Sequence, residues 1–269
     1  GEPFWESPWG DGRPGWHIEC SAMSLNHFGE QFDIHGGGHD LRFPHHEAEI
    51  FQSECCTGCE PVVGYWMHNG FVNVDGEKMS KSLGNFWTVR EAFENYTPLA
   101  LRYALLSIPY RNPIDLSSEF LEDARMNYER LIEAYGVSLS SDSDSGTDLS
   151  EAIQRITDAM NDDFNSRAAI IVIQEVASQY SGRDIATWLE HYAGEVLGLL
   201  PRSEEVLAGR ARADSARAKV ADKVEALLNE REIARQSKDW NRADEIRDEL
   251  TSIDVIVEDG PDGPTWRLE

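Results

Sequence analysis

The sequence predicts an α/β region first, an antiparallel helix bundle second and a small mixed α/β unit last. Three observations carry this. Residues 1–93 hold short apolar runs between turns rich in Gly, His and aromatics, and strand-like runs alternate with helix starts. From about Glu91 the apolar residues recur at three- and four-residue spacing instead. After about Arg202 the chain becomes charged and alanine-rich, then closes on two β-rich runs around a Gly-Pro turn. The divisions implied are 1–93, 94–201 and 202–269, and 269 residues suffice for two or three such units.

Taken in order, Trp16-His17-Ile18-Glu19-Cys20 reads as a short strand. Glu30 to His35 alternates like a second strand and runs into Gly36-Gly37-Gly38-His39-Asp40. Pro44 followed by His45-His46-Glu47-Ala48-Glu49-Ile50 reads as a helix start, with proline at or just before the first turn. The run from Trp66 to Val74 leads into the turn dipeptide Asp75-Gly76. Thr97-Pro98 opens a helix with Leu99, Tyr103 and Leu106 on one stripe, the simplest partner for which is an antiparallel neighbour. Ser117 or Ser118 caps the next helix, whose apolar face includes Phe120, Leu121, Tyr128, Leu131 and Tyr135. Ser138 to Thr147 has no apolar residue except Leu139 and reads as a solvated connector. Further helices are expected over Leu149–Met160, Ser166–Tyr180 and Ile185–Leu200. In the last section, Lys223-Val224-x-x-Leu227-Leu228 and Ala243-x-x-Ile246-x-x-x-Leu250 predict two amphipathic helices. Val255-Ile256-Val257 and Thr265-Trp266-Arg267-Leu268, around Gly260-Pro261-Asp262-Gly263, predict a hairpin.

Composition sets limits on function. No apolar run approaches the ~20 residues of a membrane helix, and no charged-then-apolar signal segment opens the chain. Of four cysteines, Cys55, Cys56 and Cys59 fall within five residues and Cys20 stands apart, which is not a disulfide framework and points to a reducing, cytoplasmic setting. The formal charge is −25, and only five of the 24 basic residues are lysines. Such a surface argues against a nucleic-acid partner or for adaptation to high salt, where self-repulsion is screened. One basic cluster runs against this trend: Gly209 to Lys219 holds Arg210, Arg212, Arg217 and Lys219 against Asp214. It fits a phosphate-facing patch and an ordinary solvated helix face equally well. The chain begins Gly1-Glu2-Pro3-Phe4 without methionine and reads as a fragment.

Two stretches carry chemistry. His45 and Glu49 are four residues apart on one helix and share a face. With Cys20 they make a thiolate, imidazole and carboxylate set that zinc accepts, leaving a position open for substrate. A buried free thiol beside a polar helix is the other reading. Lys78-Met79-Ser80-Lys81-Ser82-Leu83-Gly84-Asn85 places two lysines three apart among small residues. Such a cationic loop can fold over a triphosphate and stabilise charge on leaving pyrophosphate, the role read for Lys78 and Lys81.

That second string is the KMSKS signature of class I aminoacyl-tRNA synthetases. Together with Arg13-Pro14-Gly15-Trp16-His17-Ile18-Glu19-Cys20-Ser21, His35-Gly36-Gly37-Gly38-x-Asp40-Leu41-x-Phe43-Pro44-His45-His46-Glu47-x-Glu49 and Tyr65-Trp66-Met67-His68-Asn69-Gly70, it resembles the cysteinyl-tRNA synthetase family. Met160-Asn161-Asp162-Asp163-Phe164-Asn165 and Lys238-Asp239-Trp240-x-x-Ala243-Asp244 extend the resemblance along the chain. It implies the C-terminal part of a Rossmann-type class I catalytic domain, then a tRNA-binding bundle and a small anticodon-binding domain. It implies ATP-dependent activation of L-cysteine, with magnesium accompanying ATP, and transfer to tRNA(Cys), in a monomer. It also implies one zinc per subunit held by two cysteines, a histidine and a glutamate, with Cys20, His45 and Glu49 matching the second cysteine, the histidine and the glutamate. The substrate thiolate would join that zinc, whereas the harder, protonated hydroxyl of serine would ligate poorly, so selection needs no editing.

By the same resemblance, Trp16 and His35 would line the cysteine pocket, Gly36 and Asp40 would approach the adenylate, and Lys81 would contact ATP. The sequence departs from the family in two ways. It has no His-x-Gly-His motif, which with the first zinc cysteine would lie upstream of Gly1, so this stretch alone is expected to be inactive. It also has Cys56-Thr57-Gly58-Cys59 beside Cys55 where the family has an ordinary loop; exposed thiols on a loop, a redox pair and an auxiliary metal site are the readings. Two other functions remain open: a cysteine ligase that passes the adenylate to an amino sugar, and a non-catalytic zinc- and tRNA-binding module.

Overall fold

The computed structural model describes residues 2–74, 76–79, 88–237, 239–253, 255–260 and 263–268. Helix α1 (Trp16–Phe28) leads to β1 (Phe32–Gly38), then through short turns to α2 (Glu47–Thr57) and β2 (Val63–Asn69). Strands β1 and β2 pair in parallel, with Ile34 opposite Tyr65, His35 opposite Trp66 and Gly38 opposite Asn69. A parallel pair needs a crossover, and α2 supplies it. Helices α1 and α2 pack against each other.

Short strand β3 (Val72–Val74) then pairs with β4 (Glu77–Lys78) on one side and, in parallel, with β5 (Ile114–Asp115) on the other. The run expected over Trp66–Val74 is therefore two strands. Gly70 breaks it, because its amide turns to the Tyr110 carbonyl at 2.8 Å and a Cβ there would meet the Asn112 carbonyl oxygen.

Trp16–Cys20 is a helix and not the expected strand. Five residues cannot separate the two periods; the helix becomes legible only when the run is carried through Ala22, Met23 and Leu25 to Gly29. The start of α2 also differs. Arg42–His46 forms one wide turn with Phe43 extended, so regular α geometry begins at Glu47, three residues beyond the proline.

The helical part comprises α3 (Val89–Ala92), α4 (Pro98–Leu106), α5 (Ser118–Leu139), α6 (Ser150–Asn161), α7 (Ser166–Gln179) and α8 (Arg183–Leu189). Thr97 caps α4 by accepting from the Ala100 amide, and Ser117 rather than Ser118 caps α5 by accepting from Phe120. Leu131, Tyr135, Ile173, Ile185 and Leu189 are all but sealed from water in one core. The connector begins after Leu139, since Tyr135, Gly136 and Ser138 are buried in the last turn of α5. The helix expected over Ile185–Leu200 is regular only to Leu189. Residues 190–196 are wound as a π-helix, and Gly198 at φ +65 ends it with Arg102 Nε donating to the Leu197 carbonyl.

Helix α9 (Ser203–Gln236) is longer than the sequence suggested. Val206 near its start belongs to the same core as Leu131, Tyr135 and Ile173, whereas Val224 and Leu227 pack with Ile246 and Leu250 of α10 (Trp240–Thr251) and with Val255. The hairpin β6 (Val255–Gly260) and β7 (Gly263–Leu268) forms as expected. Arg210, from the basic cluster, lies along α5 and donates to the Glu133 carbonyl at 3.4 Å. Among the described residues, no helix is long and apolar enough to cross a membrane.

Candidate functional site

Helices α1 and α2 bring together the three residues singled out as ligands. Cys20 sits on the second turn of α1, His45 ends the wide turn before α2, and Glu49 lies in the first turn of α2. One ligand atom from each falls within 4.8 Å of the others. His45 and Glu49 are both only 4% exposed, and Cys20 is half-buried. A hydrogen bond from Ser21 Oγ to Gln52 Oε1, at 2.7 Å, clasps the two helices beside the cluster.

The carboxylate of Glu49 faces two imidazoles. Its Oε1 lies 2.9 Å from His45 Nε2 and its Oε2 lies 3.6 Å from His35 Nε2. Despite the short approach to His45, Oε1 accepts no hydrogen bond among the described residues. Burial has pushed the Glu49 carboxyl up to about 7. It also raises the Cys20 thiol, with the negative charges of Glu49 and Glu19 adding to the effect. A buried cluster of donors short of positive charge is one that a borderline-soft divalent cation would complete, so the residues fit such an ion.

A second set, His35, His46 and Glu49, meets the same 4.8 Å criterion. His46 is 3% exposed, and burial with neighbouring imidazoles drives it down to about 4. Its Nδ1 shares a proton with His68 Nε2 at 2.8 Å. His35 stacks on Trp66 at 4.7 Å, while Trp16 lies 4.6 Å from the His45 ring. Both pocket residues expected from the sequence therefore flank the cluster.

His17, His46 and His68 were missed. The signals were present, in His17 three residues before Cys20 and in the His45-His46 doublet, but only the fold shows that they converge. Gly37 belongs to the same arrangement: a Cβ there would come 2.8 Å from His46 Cε1, so the imidazole occupies the space a side chain would need. Gly36 has no such constraint, its nearest contact being the Met67 carbonyl oxygen at 3.6 Å. Asp40 is exposed beyond β1, its carboxylate folded back toward Gly38.

A cavity of about 500 Å³ adjoins the cluster, lined by His39, Arg42, His46, Trp66, His68 and Arg111 among others. It lies at the carboxyl ends of β1 and β2, where ligands of open α/β sheets bind. Burial, reinforced by the positive charges of Arg42, His39 and Arg111, holds His68 below the ordinary histidine value. Lys78 lies on β4 opposite Asn73. Lys81 and the rest of its loop lie outside the described residues. Cys55, Cys56 and Cys59 are free thiols around the end of α2, where Gly58 at φ +72 caps the helix and the Cys59 amide donates to Thr57 Oγ1. Among the described residues they join no metal-binding group.

Residues 1–126 match the model for the class I (C) tRNA synthetase catalytic domain, and residues 217–267 match the cysteinyl-tRNA ligase anticodon binding domain. A cysteine--tRNA ligase of Laribacter hongkongensis is 48% identical over 99% of this chain, and one of Chromobacterium violaceum is 47% identical over 99%. The chain spans 58% of the length of each. A solved LeuRS of Agrobacterium radiobacter, in complex with tRNA and LeuAMS, overlaps 62% of this chain and 24% of its own at 22% identity and a TM-score of 0.45.

Proposed function

The chain belongs to the cysteine–tRNA ligase family, and from that premise we propose that, within its complete protein, it takes part in activating L-cysteine with ATP and passing it to tRNA(Cys). The observation that carries this reading is the convergence of half-buried Cys20 with buried His45 and Glu49, in a chain 48% identical to a cysteine--tRNA ligase over 99% of its length.

Zinc held by Cys20, His45 and Glu49 would supply a soft Lewis-acid position that prefers a thiolate to a hydroxyl. The chain's own residues do the rest. Trp16, 4.6 Å from the His45 ring, and His35, stacked on Trp66, would line the cysteine pocket beside the cluster. His17 and His46 hold their partners' ring orientations through shared protons. A hydroxyl differs from a thiol by one atom, and selecting on ligand softness explains how binding alone can reject serine.

Gly36 and Asp40, toward the carboxyl end of β1, would approach the adenylate, and Lys78 and Lys81 would contact ATP, which magnesium accompanies. The helices between Pro98 and Val196, read as an antiparallel bundle, and the unit from 202 to 269 would dock the tRNA stem and anticodon. The match over 217–267 favours tRNA as acceptor over an amino sugar.

The test is the protein expressed from its complete reading frame. It should exchange pyrophosphate into ATP when cysteine is added and not with serine, and should charge tRNA(Cys). Cysteine-independent exchange, or equal exchange with serine, would overturn the assignment.

A further inference from the structure

Arg111 and Asp163 join parts of the chain 52 residues apart. Arg111 Nε donates to Asp163 Oδ2, and Nη2 donates to Oδ1 at 3.0 Å. The Tyr110 hydroxyl donates to the same Oδ1 at 2.8 Å, and the guanidinium carbon sits 5.0 Å from the Tyr110 ring centre. Asp163 offers its carboxylate from the turn between α6 and α7, where Asp163 and Phe164 both have φ +54. Non-glycine residues avoid that region unless the surroundings enforce it, and such strain collects at working sites.

The segment carrying Arg111 is fixed from its other side too. The Gly70 amide at the end of β2 donates to the Tyr110 carbonyl, and the approach of Asn112 leaves Gly70 no room for a Cβ. Arg111 is thus held between the parallel sheet and the α6–α7 turn. Stability alone does not account for the pair. The two side chains are 53% and 47% exposed, and ion pairs so exposed contribute little.

Arg111 also lines the cavity beside the histidine cluster, as does Arg42. Its Nε and one N–H of Nη2 are committed to Asp163, so its remaining N–H groups are those it can offer a ligand there. Arg42 and Arg111 line this cavity together with Glu47, and Asp163 balances the charge of Arg111, so it is the directed guanidinium N–H groups, more than net charge, that suit a phosphate there.

We propose that Arg111 positions a phosphate-bearing substrate group in this cavity, and that Asp163 is a positioning residue acting through Arg111, which ties the cavity to the α6–α7 turn of the helical region. The inference rests on the reading of the chain as part of a cysteine–tRNA ligase. The phosphate is that of ATP and its adenylate or that of the tRNA acceptor end, and the two are separable by experiment.

In the protein from the complete reading frame, Arg111→Ala, Asp163→Asn, Asp163→Ala and the Arg111→Ala/Asp163→Ala double variant are compared by ATP–pyrophosphate exchange and by charging of tRNA(Cys). Arg111→Ala should raise KM roughly tenfold for one of the two probes while kcat changes little. A rise for ATP assigns the phosphate to the nucleotide, and a rise for tRNA alone assigns it to the acceptor end. Asp163→Asn and Asp163→Ala should raise the same KM by smaller factors, and the double variant should be no worse than Arg111→Ala. Additive losses, or unchanged KM values in Arg111→Ala, would overturn the proposal. A wild-type protein that makes no cysteinyl-tRNA would overturn the functional reading and this inference with it. Wild-type activity untouched by Arg111→Ala would overturn the inference alone.

Discussion

The Nδ1 atoms of His17 and His45 lie 2.6 Å apart, so the two rings share one proton. With that proton on His45, His17 accepts it and Nε2 of His45 keeps its lone pair toward Glu49, which is the tautomer a metal ligand needs. Replacing His17 with alanine should therefore weaken zinc binding by about 10- to 100-fold without removing a ligand. Competition with a chelator, in the protein from the complete reading frame, measures this. Unchanged zinc affinity would mean that His17 does not orient His45.

The glycines of β1 should separate by side-chain space. Gly37→Ala puts a methyl group 2.8 Å from His46 Cε1 and 3.1 Å from Leu41 Cδ1, and overpacking of this kind costs about 1–3 kcal/mol. Gly36→Ala meets only an ordinary contact at 3.6 Å and should change stability little. Denaturant unfolding of the two variants should rank them in that order; equal losses would show that His46 can move aside.

Asp184 ties the Ser/Asp-rich connector to the start of α8. Its carboxylate accepts from Ser145 Oγ at 2.6 Å, from the Ser145 amide at 2.8 Å and from its neighbour Ile185 at 3.0 Å. These bonds, led by that from the Ser145 hydroxyl, hold its pKa below the ordinary aspartate value. A carboxylate depressed in the folded state stabilises above its unfolded pKa, near 3.9, and that stability is lost as pH falls through the folded value. Asp184→Asn should lower Tm at pH 7, and its Tm should fall less than that of the wild type between pH 5 and pH 3. Parallel pH profiles would remove Asp184 from the account.

The acidic surface makes a prediction about salt. With 49 acidic against 24 basic residues, self-repulsion destabilises the compact state and added ions screen it. Tm should rise steadily as potassium chloride is raised from roughly 0.1 to 2 M, well past the range where Debye screening of an ordinary surface is complete. A flat profile would leave the composition unexplained by salt adaptation.

How much of this was legible in the sequence depended on the range of each signal. Thr97-Pro98 and Ser117 fixed helix starts locally, and both caps are present. That His45 and Glu49 come together was legible because helical spacing puts both on one face, although the turn before α2 is wider than a proline start implies. Trp16–Cys20 was misread because five alternating residues suit both periods, so the route by which Cys20 reaches the cluster, on α1, had to come from the fold. The proton-sharing histidines and the Arg111–Asp163 link were hidden because each depends on residues 22 to 52 positions apart. No local pattern encodes such a separation.

The central claim is that Cys20, His45 and Glu49 select cysteine through a shared zinc. The most direct measurement compares zinc content and the cysteine-to-serine ratio in ATP–pyrophosphate exchange for the wild type and Cys20→Ser, both from the complete reading frame. The account predicts that Cys20→Ser loses zinc and that its preference for cysteine collapses together with the metal. A Cys20→Ser protein that keeps both its zinc and its preference would contradict it.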